Sequence, residues 1–528
     1  MKILPLALLL LCALPAFSSA QVWVADKGEG AYRNPIIHAD YSDPDVVRVG
    51  DDYYMVASSF TCQPGIPVLH SKDLVNWRII NHVYQSLPLE RYRKPQHGQG
   101  SWAPSIRYHQ GRYYVYFCTP EDGLFMAKTS DPAGYWELHQ VQDVAGWEDP
   151  CPFWDTDGQA YLLHGRVGAG PAILHKMSPD GKRLLDGGRV IFQDPKRQPT
   201  LDGFKFMEKR DGYYYFAAPA GGVATGWQSV FRSKNIYGPY EDRIVLRQGK
   251  TTVNGPHQGG LVETQTGEWW FIHFQDKKAY GRIVHLQPVN WRDGWPVIGA
   301  DEDGSGAGQP APEYRKPNVG KNYPVEIPQT SDEFDGPALG LQWQWQAAPD
   351  KDWYSLSAKA GQIRLYAVPV PSFGGNLLYA GSLLLQKFPA PAFSVTTKLE
   401  LHANAAGERA GLVVMGNDYT YICLEKRESG NNIAVYEWKR GGPRFSSPQE
   451  VAGMETAVST VWFNVRINED GAYAYTYSLD GKQYSEIGVR YKAEPGVWIG
   501  AKAGVFCLTP SLINTRGYAD FDFFRVDK

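Results

Sequence analysis

A turn followed by a burst of aromatics recurs five times in the first half of the chain: "GDDYYMVAS" (residues 50–58), "QGRYYVYFC" (110–118), "TDGQAYLLH" (156–164), "RDGYYYFAA" (210–218) and "QTGEWWFIH" (265–273). Marked at Tyr53, Tyr113, Ala160, Tyr213 and Trp269, the steps are 60, 47, 53 and 56 residues. Four of the repeats are followed by a second shared element: "HSKDLVNW", "AKTSDPAGYW", "HKMSPDGK" and "RSKNIYGPY". Each unit therefore reads as two successive hairpins, that is, four short strands. Four strands every fifty residues or so is the spacing of propeller blades, and five units predict five blades. Near-regular spacing favours this over a series of sandwiches. A propeller also brings residues far apart in sequence to one central funnel.

From 301 to 329 the text turns to Gly, Pro and charge, which predicts a linker. Beyond it strands alternate again without the blade signature, as in "FSVTTKLELHA" and "WFNVRINEDGAYAYTYSLDG". The expected organisation is all-β: a signal peptide at 1–20, a five-bladed β-propeller at 30–300, a linker at 301–329 and a concanavalin-like β-sandwich at 330–528. The first twenty residues, "MKILPLALLLLCALPAFSSA", combine one Lys, an apolar run and a small-residue ending, so a periplasmic or secreted protein is expected. No later stretch is long and apolar enough for a membrane span. Net charge is −3, which gives no basic footprint for nucleic acid. Five cysteines remain after residue 20, an odd and sparse set with no CxxC pair, so neither a disulfide framework nor structural zinc is expected. With 17 Trp and 32 Tyr, the chain suits contact with sugars and equally suits aromatic strands.

Three acids stand shortly upstream of blade hairpins: Asp43 before Pro44, Asp149 before Pro150 and Asp202 before Gly203. Any one of them is ordinary turn chemistry. Three at equivalent places would meet at one mouth, where paired carboxylates cleave an acetal, one protonating the leaving oxygen and one activating water. A third can tune the donor, since neighbouring carboxylates resist simultaneous ionisation.

The segments "NPIIHADYSDPDVVRVGDDYYM", "SSFTCQPGIPVLHSKDLVNW", "WAPSIRYHQGRYYVYF", "EDPCPFWDTDGQAYLLHG", "GYYYFAAPAGGVATGWQ" and "NGPHQGGLVETQTGEWWFIHFQD" resemble glycoside hydrolase family 43 across nearly the whole chain, of the β-xylosidase/α-L-arabinofuranosidase type with a C-terminal sandwich. The resemblance implies an exo-acting, inverting hydrolase that releases terminal α-L-arabinofuranose or β-D-xylose from plant polysaccharide, with no cofactor for the chemistry. It implies Asp43 as general base, Asp149 as pKa modulator and Asp202 as general acid. At Asp202 the sequence departs from the family, which carries Glu there in a Glu-Gly-Pro pattern; here "LDGFKF" places Asp202 and Phe204 instead, and Glu208 is the fallback donor. A glycan-binding pseudoenzyme is the alternative that this departure raises. Arg282 is implied to contact the terminal sugar, Phe60 and Trp102 to wall the pocket, Phe506 to reach in from the sandwich, and His257 to stand near a structural calcium at the propeller centre. Cys62 stands where some relatives have Trp.

Overall fold

The computed structural model describes residues 21–168, 170–441 and 446–528, the side chains of residues 207 and 208 aside. The signal-peptide expectation (1–20) and the Glu208 side chain lie outside the described residues.

Five four-stranded antiparallel sheets follow one another in sequence. Their first strands are Asp45–Val49, Trp102–His109, Trp147–Trp154, Lys205–Arg210 and His257–Glu263. Each of these packs against the first strand of the sheet before and after it, and the fifth against the first, so the ring closes. The five repeat markers all fall at the first or second residue of a second strand. The hairpin tips behave as their residues dictate. His109 pairs with Arg112 and Arg210 with Tyr213, and both residues of each intervening pair, Gln110-Gly111 and Asp211-Gly212, have positive φ. That is the turn whose twist matches antiparallel strands and which Gly tolerates best. The ring is tied off by the N-terminal segment. Asn34 donates to the carbonyls of Leu286 and Ala311 and accepts from the Leu286 amide.

A second feature recurs in every blade. The residue two before the third of each set Asp43-Pro44-Asp45, Ala103-Pro104-Ser105, Asp149-Pro150-Cys151, Gly203-Phe204-Lys205 and Gln258-Gly259-Gly260 is left-handed, with φ of 56°, 28°, 54°, 59° and 50°. Strand register slips at this place in blades two, three and five. Such bulges re-aim side chains at strand ends next to active sites.

The C-terminal part is two packed sheets. Strand Phe393–His402 alternates strictly, with Phe393, Val395, Thr397, Leu399 and Leu401 inward. Phe393, Val395, Leu399 and Leu401 share one core with Leu412, Ile422, Ile433 and Val505 of the other sheet. The stretch read as a linker is not a free tether: Glu313–Arg315 pairs with Ala31–Arg33. The sandwich is also joined to blade one directly, since Gln63 and Trp345 exchange two backbone hydrogen bonds of 3.0 and 2.6 Å. The five described cysteines are all buried and free.

Candidate active site

The bulge at the start of each first strand turns the side chains flanking it toward the axis, and the three acids converge there. Asp43 is buried, and every group on its carboxyl is a donor. Arg282 Nη1 donates to Oδ1 at 2.8 Å, while Ser42 Oγ and Ser58 Oγ donate to Oδ2 at 2.8 and 2.6 Å. A carboxylate offers about four acceptor sites, so one remains for a water. Ser58 is itself held by the Ala103 amide at 2.7 Å, and Arg282 Nη1 also reaches Ser42 Oγ at 2.6 Å.

Asp149 accepts the Gly203 amide on Oδ2 at 2.6 Å. That bond ties it to the residue after Asp202. Burial and the charge of Asp43 push Asp149 up to about 6, against the pull of the Gly203 amide. Asp202 is pushed well above the usual carboxylate range, first by burial and then by the charges of Asp149 and Asp43, with Arg282 opposing. The three acids therefore share one electrostatic site.

The equivalence expected from the sequence is off by one residue in blade four. The counterpart of Asp43 and Asp149 is Gly203, and Asp202 precedes it. Only Gly fits at 203, because a Cβ there would lie 2.7 Å from Pro219 Cδ and 2.9 Å from Gln258 Cγ, on a backbone of φ 59°. Phe204, which stands where the first three blades have Pro, is fully buried against Gly165, where a Cβ would lie 2.7 Å from its ring. Asp202 thus shares its blade position with Ser42, Trp102 and His257.

Phe60, which is buried, and Trp102, which is half-buried, lie with ring centroids 6.2 Å apart, edge to face. The sequence reading missed the next member of this wall. Trp498, on the sandwich loop Gly496–Gly500, stands 6.0 Å from Trp102 and 5.8 Å from the Arg282 guanidinium, and half its surface is open. Its backbone is left-handed, with a φ of 66°. Phe506, expected to play this part, does not. It is fully buried in the sandwich, 5.1 Å from Tyr421, in a cluster with Leu385 and Tyr436.

His257 is buried at the start of the fifth blade's first strand; among the described residues its ring nitrogens have no side-chain hydrogen-bond partner, and the Gly255 backbone is the group that favours its charged form. Burial, then the charge of Arg282 and the proximity of His273, press it down to about 3, so it is neutral. One imidazole is available to a cation, but calcium takes six to eight oxygens. Among the described residues, the acid and imidazole groups close enough to share an ion are Glu400, His402 and Asp520 on the sandwich. There Lys359 and Arg364 already pair the carboxylates. Among the described residues, no cluster of three or more His, Cys, Asp or Glu ligands includes His257, so an ion there would need backbone carbonyls and water for its oxygens.

The family model of glycosyl hydrolases family 43 matches residues 32–296, and that of the beta xylosidase C-terminal concanavalin A-like domain matches 331–527. The chain belongs to glycoside hydrolase family 43. Family 43 relatives extend over both domains. A putative beta-xylosidase of Xylanibacter ruminicola is 43% identical over 497 residues, covering 92% of this chain and 88% of that protein. A non-reducing end alpha-L-arabinofuranosidase of Bacteroides ovatus is 30% identical over 444 residues, covering 78% and 80%. The crystal structure of a xylan beta-1,4-xylosidase from Bacillus halodurans superposes with a TM-score of 0.82 at 25% identity, covering 94% of this chain and 100% of that one. The family 43 assignment makes this chain a glycosidase whose substrate is carbohydrate, on a propeller followed by a concanavalin-like sandwich.

Trp498 yields a first prediction. Trp498→Ala removes one aromatic wall, a contact of about 0.5–1.5 kcal/mol beyond its buried area. KM for a nitrophenyl glycoside is expected to rise roughly 2- to 10-fold with kcat nearly unchanged; steady-state kinetics on the purified variant check it.

Proposed function

We propose that the protein is an exo-acting, inverting pentosidase that removes terminal β-D-xylose or α-L-arabinofuranose from plant polysaccharide outside the cytoplasm. One observation carries the reading: a carboxylate surrounded only by donors, Asp43, acts through its charge on a carboxyl pushed well above its usual range, Asp202. An inverting glycosidase needs one acceptor and one proton donor. Asp43 takes a proton from water as its oxygen attacks the anomeric carbon. Asp202 gives its proton to the departing glycosidic oxygen, and the C–O bond breaks with its electron pair on that oxygen. Asp149 orients the Asp202 segment through the Gly203 amide, and its charge, added to that of Asp43, keeps Asp202 protonated. Arg282 fixes Asp43 and presents its remaining donors to sugar hydroxyls. Trp498, Trp102 and Phe60 narrow the mouth, which favours a chain end over a chain middle. Both pentoses are retained because relatives named for each cover most of the chain.

The test is proton NMR of the first product released from 4-nitrophenyl β-D-xyloside and α-L-arabinofuranoside. The opposite anomer should appear first and then mutarotate. The same anomer appearing first overturns inversion. No release above the blank, with sugar binding retained by calorimetry, would instead make the chain a glycan-binding protein on a catalytic scaffold.

A further inference from the structure

Asp40 takes no part in the chemistry above, yet it touches both sides of the site. It is buried, three residues ahead of Asp43. Its Oδ1 accepts the backbone amide of Arg282 at 2.9 Å, and its Oδ2 accepts the backbone amide of Gly500 at 2.9 Å. The first of these amides begins the strand that carries the guanidinium on Asp43. The second lies two residues after Trp498, in the other domain. The packing around the carboxylate leaves no slack. A Cβ on Gly281 would lie 2.5 Å from the Asp40 carboxyl carbon, and a Cβ on Gly500 would lie 2.7 Å from the Gly281 amide nitrogen. Beside it, Ala501 donates to the Ala279 carbonyl at 2.7 Å, and the Tyr280 hydroxyl stands 2.6 Å from the carbonyls of Pro391 and Asn468. The other end of the loop is closed by a Gly496-to-Ile499 hydrogen bond of 2.8 Å. Of these contacts, Asp40 alone bonds to the Arg282 peptide and the Trp498 loop at once.

We propose that Asp40 is an interdomain positioning residue: its two carboxylate oxygens lock the sandwich loop bearing Trp498 to the strand bearing Arg282, and so set the height of the pocket wall over the sugar. This rests on the function proposed above. A buried carboxylate accepting two N–H groups makes charge-assisted bonds, roughly twice as strong as neutral ones. An amide at this position cannot reproduce them. Its oxygen accepts one N–H, and its own NH₂ faces the other, donor against donor. Loss of the Gly500 bond frees the loop without touching the groups that handle protons.

The experiment is a double-mutant cycle of Asp40→Asn with Trp498→Ala, read by kinetics on a nitrophenyl pentoside, with hydrogen exchange on the same full-length proteins. Asp40→Asn should raise KM about as much as Trp498→Ala does, leave kcat within about threefold, and add nothing in the Trp498→Ala background. Exchange should accelerate at residues 496–501 and not in the strands of the sandwich core. Additive effects in the cycle, or unchanged exchange at 496–501, overturn the proposal. If Asp40→Asn does not fold, Asp40→Ser, smaller and able to accept one N–H, takes its place in the cycle. The exchange arm needs no turnover, so failure of the latch is separable from failure of the pentosidase reading, which would instead appear as a parent protein with no activity.

Discussion

Asp43→Asn should lower kcat roughly 10²- to 10⁴-fold while leaving KM within a fewfold of the parent value, because it removes a proton acceptor and little else. The geometry makes this a clean substitution. The amide oxygen still accepts from Arg282 Nη1, which now stands 2.8 Å from Oδ1. The amide NH₂ then faces Ser42 and Ser58, whose hydroxyls can rotate to accept. A second readout separates a lost base from a damaged fold. The charge of Asp43 is one of the causes that hold Asp149 near 6, so Asp149 should titrate lower in the variant, toward the ordinary carboxylate range. Carbon-13 NMR of labelled carboxyl groups measures it. A variant with more than a tenth of the parent turnover would remove Asp43 from the role of base.

How far the sequence alone led depends on what local text can record. The blade period was legible because each blade must repeat a hairpin, and a hairpin needs Gly at a positive-φ position whatever the rest of the protein does. Asp43 and Asp149 were legible because each precedes Pro at a bulge that recurs around the ring. Asp202 was legible too, but its counterpart was misplaced by one, since blade four puts Gly203 at the bulge and Phe204 where Pro would have marked the register. Phe506 misled for a different reason. Strand Lys502–Thr509 is buried along its whole length, so alternation cannot say which face looks where. Val505 and Cys507 enter the main sandwich core, while Phe506 and Leu508 enter a second cluster behind it. Trp498 and Asp40 were illegible in principle. Trp498 reaches the site from the other domain, and the Asp40–Gly500 bond spans 460 residues, so no periodicity connects the two ends. A buried Asp43 calls for hydroxyl donors such as Ser58, yet nothing in "VASSF" distinguishes it from Ser59, which instead accepts the Ile66 amide.

The acid pair carries the last expected result, a substitution that removes activity and adds stability. Burial and the Asp43 charge raise Asp149 from 3.8 to about 6, so across that window the folded protein binds more protons than the unfolded chain. Stability linked to this group is therefore present below about pH 4 and is lost as pH rises through 6. A displacement of about two pH units corresponds to about 3 kcal/mol above pH 6. Asp149→Asn keeps an oxygen for the Gly203 amide and carries no charge. Its melting temperature should match the parent at pH 4, pull ahead between pH 4 and 6, and hold a constant lead above that. Asp202→Asn should gain stability in the same direction as pH rises, because burial and the two neighbouring carboxylates all disfavour its ionised form. In activity the two part company. Asp202→Asn loses the proton donor, so a substrate with a poor leaving group should slow roughly 10²- to 10⁴-fold, while a dinitrophenyl glycoside, whose oxygen leaves without help, should slow far less and lose the alkaline fall in its rate profile. Asp149→Asn keeps the donor but removes one charge that holds its proton, so its alkaline limb should move to lower pH with every substrate. Calorimetric scans from pH 4 to 8 and rate profiles on the two leaving groups give both comparisons. A melting temperature that drops equally at all pH values in both variants would mean that these carboxyls are structural, and equal slowing of the two leaving groups in Asp202→Asn would take the acid role from Asp202.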